Sequence, residues 1–294
     1  MLFREAGLAA NPVVTSTVGR GQLLGYNPTI TQLNYVFPAI DEGGNYYYYY
    51  DSTSKFSDVY ELPGHALNGN GILLLENEAK IVNVFYPMVS KTFLTADATL
   101  QNDGTFSGRF KDRDTNLYAN FVNEQYLENK DDFQKTYKDK YAFPFTDIKS
   151  GLLESGDFET SFNFTSDTFV DAVGKKLIFN PLLFLYTQNH SFDQATPQKV
   201  AFRIFTASEK IKKVTITIPE GFVFENVPAS KKFRTEDNAI EYTYFVEQKG
   251  NKLTVQTTTK IDDSSFPKEY YPAFKKIYDN ITKLEGQVVT AVKK

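Results

Sequence analysis

The chain contains no cysteine and no tryptophan, and its 294 residues include only two histidines and two methionines. The missing cysteine excludes disulfides, thiolate metal sites and thiol nucleophiles together. It leaves the compartment open, because large exported domains fold without disulfides. The two histidines, His65 and His190, stand beside Gly64 and Asn189 with no second imidazole nearby in sequence. Both read as exposed loop residues, and no metal or other cofactor is expected. No stretch approaches the ~20 apolar residues of a membrane-spanning helix. The longest, residues 177–186, is interrupted by Asn180 and Pro181, so no membrane insertion is expected. The N-terminus lacks a basic segment followed by an apolar one, so no signal peptide is expected in this chain. Thirty-two basic residues are interspersed with 36 acidic ones, giving a net charge of −4. Without a basic excess, nucleic acid and anionic membranes are poor candidate partners.

Aromatic residues are plentiful instead, with 26 Phe and 19 Tyr. Flat rings suit a pleated, half-buried surface, so the composition favours strands. The length suggests two or three domains with ample core. The expected fold is mainly β within an α+β class, an antiparallel sandwich with a terminal helix, preceded by a smaller α+β unit. Three stretches organise the chain: 1–62, 71–149 and 151–294. In the first, residues 2–6 read as the end of an amphipathic helix closed by Gly7, so the chain is expected to begin inside a domain. Strands are expected at 34–40 and 46–50, joined by the turn Asp41-Glu42-Gly43-Gly44-Asn45. In the second, alternation on both sides of Asn102-Asp103-Gly104 marks a hairpin, and residues 117–141 read as helical, with Asp131 as a helix cap. The third alternates at 158–164, 199–207, 214–218, 240–248 and 252–259, with polar turns between. Pro272 then opens a helix whose stripe is Ala273, Phe274, Ile277, Ile281 and Leu284, stopping at Gly286.

Motifs with chemistry are sparse. Asp112-Arg113-Asp114-Thr115-Asn116 opens like a calcium loop, but Leu117 stands where glycine is needed and Asn123 where a glutamate is needed. Gly19 to Gly25 lacks the lysine and hydroxyl ending of a phosphate loop. The pairs Asp131-Asp132 and Asp262-Asp263 read as a helix cap and a turn; sequence does not place two acids across a cleft. Residues 46–50 are five consecutive tyrosines. Alternation puts Tyr46, Tyr48 and Tyr50 on one face, where rings could stack on a sugar or peptide, or simply furnish a sheet.

Several motifs, in order, carry a family likeness: Leu2-Phe3-Arg4-Glu5-Ala6-Gly7-Leu8, Leu33-Asn34-Tyr35-Val36, Tyr50-Asp51-Ser52-Thr53 and Leu67-Asn68-Gly69-Asn70-Gly71. Further on come Ile178-Phe179-Asn180-Pro181-Leu182-Leu183-Phe184, Ile218-Pro219-Glu220-Gly221 and the run from Phe266 to Phe274. Together they resemble the C-terminal part of bacterial multidomain transglutaminase-like proteins, which end in a β-rich domain of unknown function. The resemblance implies a cysteine upstream of Met1, a histidine position at Tyr35 and an acid at Asp51. A papain-type site needs thiol, imidazole and an orienting group. A phenol with a pKa near ~10 is no general base at neutral pH, so only Asp51 carries over. The resemblance therefore implies a non-catalytic binding or scaffold module from a periplasmic or cell-surface protein, with a peptide or glycan partner. The alternative is the C-terminal fragment of a thiol peptidase or transglutaminase. Oligomeric state is not legible.

Overall fold

A computed structural model describes residues 2–23, 29–43, 46–51, 53, 62–85, 88–194 and 201–294. The chain divides into two compact units, Met1–Met88 and Val89–Lys294. This differs from the three stretches read from sequence. The stretch 71–149 is no unit of its own: its first part completes a sheet of the smaller unit, and its hairpin forms the middle of the larger one.

The smaller unit begins with a helical turn, α1 (Leu2–Glu5), closed as expected by Gly7 at φ 79°. Its strands are β1 (Ala10–Thr15), β2 (Tyr35–Gly43), β3 (Tyr46–Tyr49), β4 (Gly69–Leu74) and β5 (Ala79–Val84). They form one sheet in the order β3-β2-β1-β4-β5, with every pair antiparallel. Alternation places Val13, Phe37, Ala39, Leu73 and Val84 in the core. Gly71 of β4 leaves room for side chains of the strands on either side, since a Cβ there would lie 2.8 Å from both Val13 Cγ1 and Val84 Cγ2.

The larger unit begins with the hairpin β6 (Ser90–Leu100) and β7 (Phe106–Asp114), turning at Gly104 with φ 90° as the Asn-Asp-Gly signal predicts. Then follow α2 (Asn116–Glu128), α3 (Lys130–Lys140), β8 (Phe145–Leu152), β9 (Phe158–Ser166), β10 (Val170–Val173), β11 (Lys176–Phe179) and β12 (Phe202–Arg203). The remaining strands are β13 (Ser208–Thr217), β14 (Phe222–Glu225), β15 (Lys231–Arg234), β16 (Ile240–Lys249), β17 (Lys252–Ile261) and β18 (Ser265–Phe266), before α4 (Tyr271–Glu285) and β19 (Val289–Lys293). The strand expected at 199–207 shrinks to β12, and residues 195–200 lie outside the described set. The cap of α3 is Asn129 rather than Asp131: its side-chain oxygen accepts from the backbone N–H groups of Asp131 and Asp132.

Eight strands make the main sheet, in the order β15-β16-β17-β13-β6-β7-β9-β8. It is antiparallel except where β13 runs parallel to β6, Ser208 opposite Ser90 through Thr217 opposite Thr99. Against it lies a second sheet, β10-β11-β19-β14, joined through contacts such as the edge-on Phe106–Phe179 pair at 5.1 Å. The class is mainly β with several antiparallel sheets and a C-terminal helix, as expected. The abundant phenylalanines gather here: Phe106, Phe110, Phe158, Phe162 and Phe164 are buried on the inner face of β7 and β9. Helix α4 buries Phe274, Ile277, Ile281 and Leu284 as its stripe predicts. Its last residue, Glu285, is also buried and accepts from Lys212 Nζ at 2.7 Å, Tyr242 Oη at 3.0 Å and Thr187 N at 2.7 Å. Helices α2 and α3 cover the other end of the inner face.

Candidate functional site

The two positions singled out by the family likeness meet in space. Tyr35 opens β2, and Asp51 follows β3, the neighbouring antiparallel strand. The Tyr35 hydroxyl donates to the Asp51 carboxylate in a short hydrogen bond. Asp51 Oδ1 also accepts the backbone N–H of Thr53 at 2.7 Å, and Thr53 Oγ1 lies 3.3 Å from the phenol oxygen. Burial, then the hydrogen bond to Asp51, pushes the Tyr35 phenol up to about 12, so it holds its proton at neutral pH. His65 is exposed, as expected, and meets Tyr35 edge-on with ring centroids 5.2 Å apart. This group has an acceptor, a locked phenol and an imidazole in aromatic contact with it.

The described side chains of the tyrosine row, those of Tyr48, Tyr49 and Tyr50, are engaged within their own unit. Tyr49 is buried, packs edge-on against Phe37 at 5.3 Å and donates to the Asn83 carbonyl at 3.0 Å. Tyr48 and Tyr50 are half-buried, and Tyr50 lies 5.4 Å from Phe3, ring to ring. Tyr46 lies in β3, and its side chain falls outside the described residues, as does Ser52.

His190 departs from expectation. Its side chain is only 8% exposed: the ring lies on Tyr278 at 5.7 Å, and Nε2 sits 3.0 Å from Asp279 Oδ1. Packing against α4, not loop exposure, determines its surroundings. No group of three or more His, Cys, Asp or Glu side chains suited to a metal occurs among the described residues.

A second constellation lies in the larger unit, where sequence reasoning saw only a failed calcium loop. Asp112 and Asp114 are on β7, not in a loop, and both face inward. They share that face with Phe106 and Phe110 because alternate residues of a strand point the same way. That parity was the signal available in the sequence. The two acids, with Thr92 and Leu94 of β6 and Lys210 of β13, floor a cavity of about 600 Å³ walled by α2 and α3. Tyr137 donates to Asp112 Oδ2 at 3.0 Å, and Lys140 Nζ lies 3.9 Å from the same oxygen. Asp112 Oδ1 is buried without a hydrogen-bond partner among the described residues. Thr92 donates to Asp114 Oδ1. Burial raises both carboxyls; Asp114, further raised by the neighbouring Asp112, reaches about 6. Lys210 opens into the cavity yet is crowded by protein, and this crowding, with Lys212 and Lys140 nearby, holds its ammonium below the ordinary lysine range. Opposing perturbations in one cavity are what functional sites and structural ion networks have in common.

Comparison with known proteins reaches part of the chain. Residues 175–291 match a family described as a domain of unknown function with a solved structure, DUF3858. A solved structure from Parabacteroides distasonis, described as a "putative protease", is similar across 99% of this chain at 8% identity and a TM-score of 0.49. This chain spans 41% of that protein. Among curated proteins none matches. The matched family covers the segment from the start of β11 into β19, the same C-terminal region that carried the latter half of the sequence likeness.

Proposed function

We propose that this chain is a non-catalytic binding or scaffold module, descended from a transglutaminase-like protein of the bacterial cell envelope. One observation carries the reading: at the position where the likeness calls for a histidine base, a phenol pushed up to about 12 donates to the acid that would have oriented that base. A base must be deprotonated at working pH to take a proton from a nucleophile, and this one is not. The hydrogen bond to Asp51 gives the carboxylate a structural task in place of a catalytic one. Absence of cysteine throughout the sequence supports the same reading. A periplasmic or surface location and a peptide or glycan partner accompany it through the family likeness. The competing reading takes the chain as the C-terminal portion of a thiol peptidase or transglutaminase. The meeting of Tyr35 and Asp51 supports the shared ancestry of both.

The test is covalent labelling. The purified chain is incubated with an activated amide and an activated ester, and intact mass is recorded alongside turnover. No adduct and no turnover above buffer are expected. An adduct or turnover that disappears in Asp51→Asn overturns the proposal.

A further inference from the structure

The cavity over β7 holds two opposite charges that the protein itself leaves without a full complement. Asp112 and Asp114 are 6% and 9% exposed, and Asp112 Oδ1 is buried with no donor among the described residues. A buried carboxylate oxygen without a partner is costly, and native structures satisfy nearly all such groups. Tyr137 and Thr92 each donate to one oxygen of these acids, which leaves the second oxygen of Asp112 unserved. The neighbouring inward positions on β7 are Phe106 and Phe110, both fully buried, and the same face would accept an apolar pair. On the other side stands Lys210. Its ammonium makes no hydrogen bond and no ion pair within 4.0 Å among the described residues, whereas Lys212, two residues on along the same face, is fully engaged by Glu285 and Thr187.

Strand register fixes the spacing of the backbones that carry the two charges. Lys210 pairs with Thr92, and Thr92 pairs with Asp114, so the three form one row across β13, β6 and β7. Adjacent strands lie about 4.8 Å apart, which puts the Lys210 and Asp114 backbones about 10 Å from each other. No described acid lies within 4.0 Å of the Lys210 ammonium, and its exposed, flexible four-carbon stem can swing outward to widen the space between it and the acids. With the lysine stem extended outward, a molecule carrying an ammonium and a carboxylate on one carbon spans that space. Leu94 and Val122 offer an apolar wall for what else the carbon carries. The cavity volume of about 600 Å³ lies in the range of small-molecule sites.

We propose that this cavity binds a free α-amino acid with an apolar side chain, its ammonium on the Asp112–Asp114 pair and its carboxylate on Lys210. The ammonium supplies the donor that Asp112 Oδ1 lacks. A partial turn of the Asp112 carboxyl group, a broad torsion, would let Tyr137 and the ligand ammonium share its two oxygens. Lys140 at the rim, 3.9 Å from Asp112 Oδ2 and half exposed, gives way to a ligand ammonium at small cost, because exposed ion pairs contribute little. Acids outnumber bases around the opening, with Glu128 and Asp132 adding to the buried pair against Lys140 and Lys210. That balance favours entry of the ammonium end first. The inference concerns the larger unit alone and names a ligand for the binding role proposed above. Its test reads affinity, not acyl transfer, so the two proposals fail separately.

The experiment is isothermal calorimetry on the full chain at neutral pH with L-leucine, and with isopentylamine and 4-methylpentanoate, which each keep one of its charges. Leucine is expected to bind at least about tenfold more tightly than either analogue, the separation that 1.4 kcal/mol produces. Lys210→Met should weaken leucine by about tenfold and leave isopentylamine unchanged, while Lys210→Arg should retain leucine. Asp114→Asn should weaken both leucine and isopentylamine. Melting curves on each variant confirm that the fold persists. No heat of binding with leucine overturns the proposal. Equal affinity for all three ligands, insensitivity to both substitutions, or binding of a neutral hexose in their place does so as well.

Discussion

Asp114→Asn tests whether the buried acids carry an electrostatic penalty. The carboxyl lies beside Asp112 on the inner face of β7, 9% exposed, and is raised from 3.8 to about 6 by burial first and by Asp112 second. A group raised in the folded state keeps a proton that the unfolded chain has already lost. Its favourable contribution is complete below 3.8 and disappears as pH climbs through about 6. A rise of that size corresponds to about 3 kcal/mol at neutral pH. Asparagine keeps the shape and still accepts from Thr92 through its amide oxygen, but brings no charge. The variant should therefore be more stable than the wild type at neutral pH by up to about 3 kcal/mol, and indistinguishable from it near pH 3. The assay is urea denaturation across a pH series, followed by circular dichroism or tyrosine fluorescence, since the chain has no tryptophan. The difference between the two proteins cancels the groups they share, apart from Asp112, whose ionisation the substitution eases. A difference that does not change with pH, or a variant less stable at neutral pH, would refute the reasoning. A gain in stability from removing a cavity acid is what a functional site shows when binding and stability compete.

Two further substitutions probe the scaffold that holds this cavity. Glu285→Gln leaves the Lys212 ammonium, 8% exposed, without its counter-charge at 2.7 Å. The loss expected in denaturation is about 3–5 kcal/mol, and the double variant Lys212→Met with Glu285→Gln should recover much of it. Equal stability of the single variant and the wild type would show that the pair is not desolvated. Gly108→Ala would set a Cβ 2.3 Å from the Asp97 carbonyl oxygen and 2.8 Å from Phe164 Cζ. Backbone cannot retreat there without breaking the β6–β7 ladder, so a loss at or above the usual overpacking cost of about 1–3 kcal/mol is expected as a lower melting temperature. An unchanged melting temperature would mean that the strands separate more freely than their register implies.

Local signals in this sequence were legible where short-range chemistry decides. Asn102-Asp103-Gly104 specified its hairpin, Gly7 its helix end, and the Phe274–Ile277–Ile281–Leu284 stripe the buried face of α4. Asn129 captured the cap of α3 because the better-placed side chain takes the free N–H groups first, and Asp131 and Asp132 became the donors. Strand partners were less legible. Alternation tells which face a residue occupies but not which strand it meets, and nothing in 90–100 or 208–217 announces that they pair. Domain limits failed for the same reason, since β6 and β7 belong to a sheet built mostly from later sequence. At the sites, Tyr35 and Asp51 were found through the family likeness. Asp112, Asp114 and Lys210 were overlooked, because each is unremarkable alone and becomes notable only when register places them around one cavity.

The parallel pairing of β13 with β6 bears on how this chain is made. On the ribosome β6 and β7 emerge early, yet the flank of β6 stays open until residue 208 and those beyond it arrive to fill it. Contacts this distant along the chain slow folding, and an unfilled strand edge invites intermolecular pairing in the meantime. A boundary drawn at residue 175 would cut the main sheet between β13 and β6 and strip β13 of a neighbour on one side. Expression of the C-terminal segment alone would then present that bare strand to its own copies.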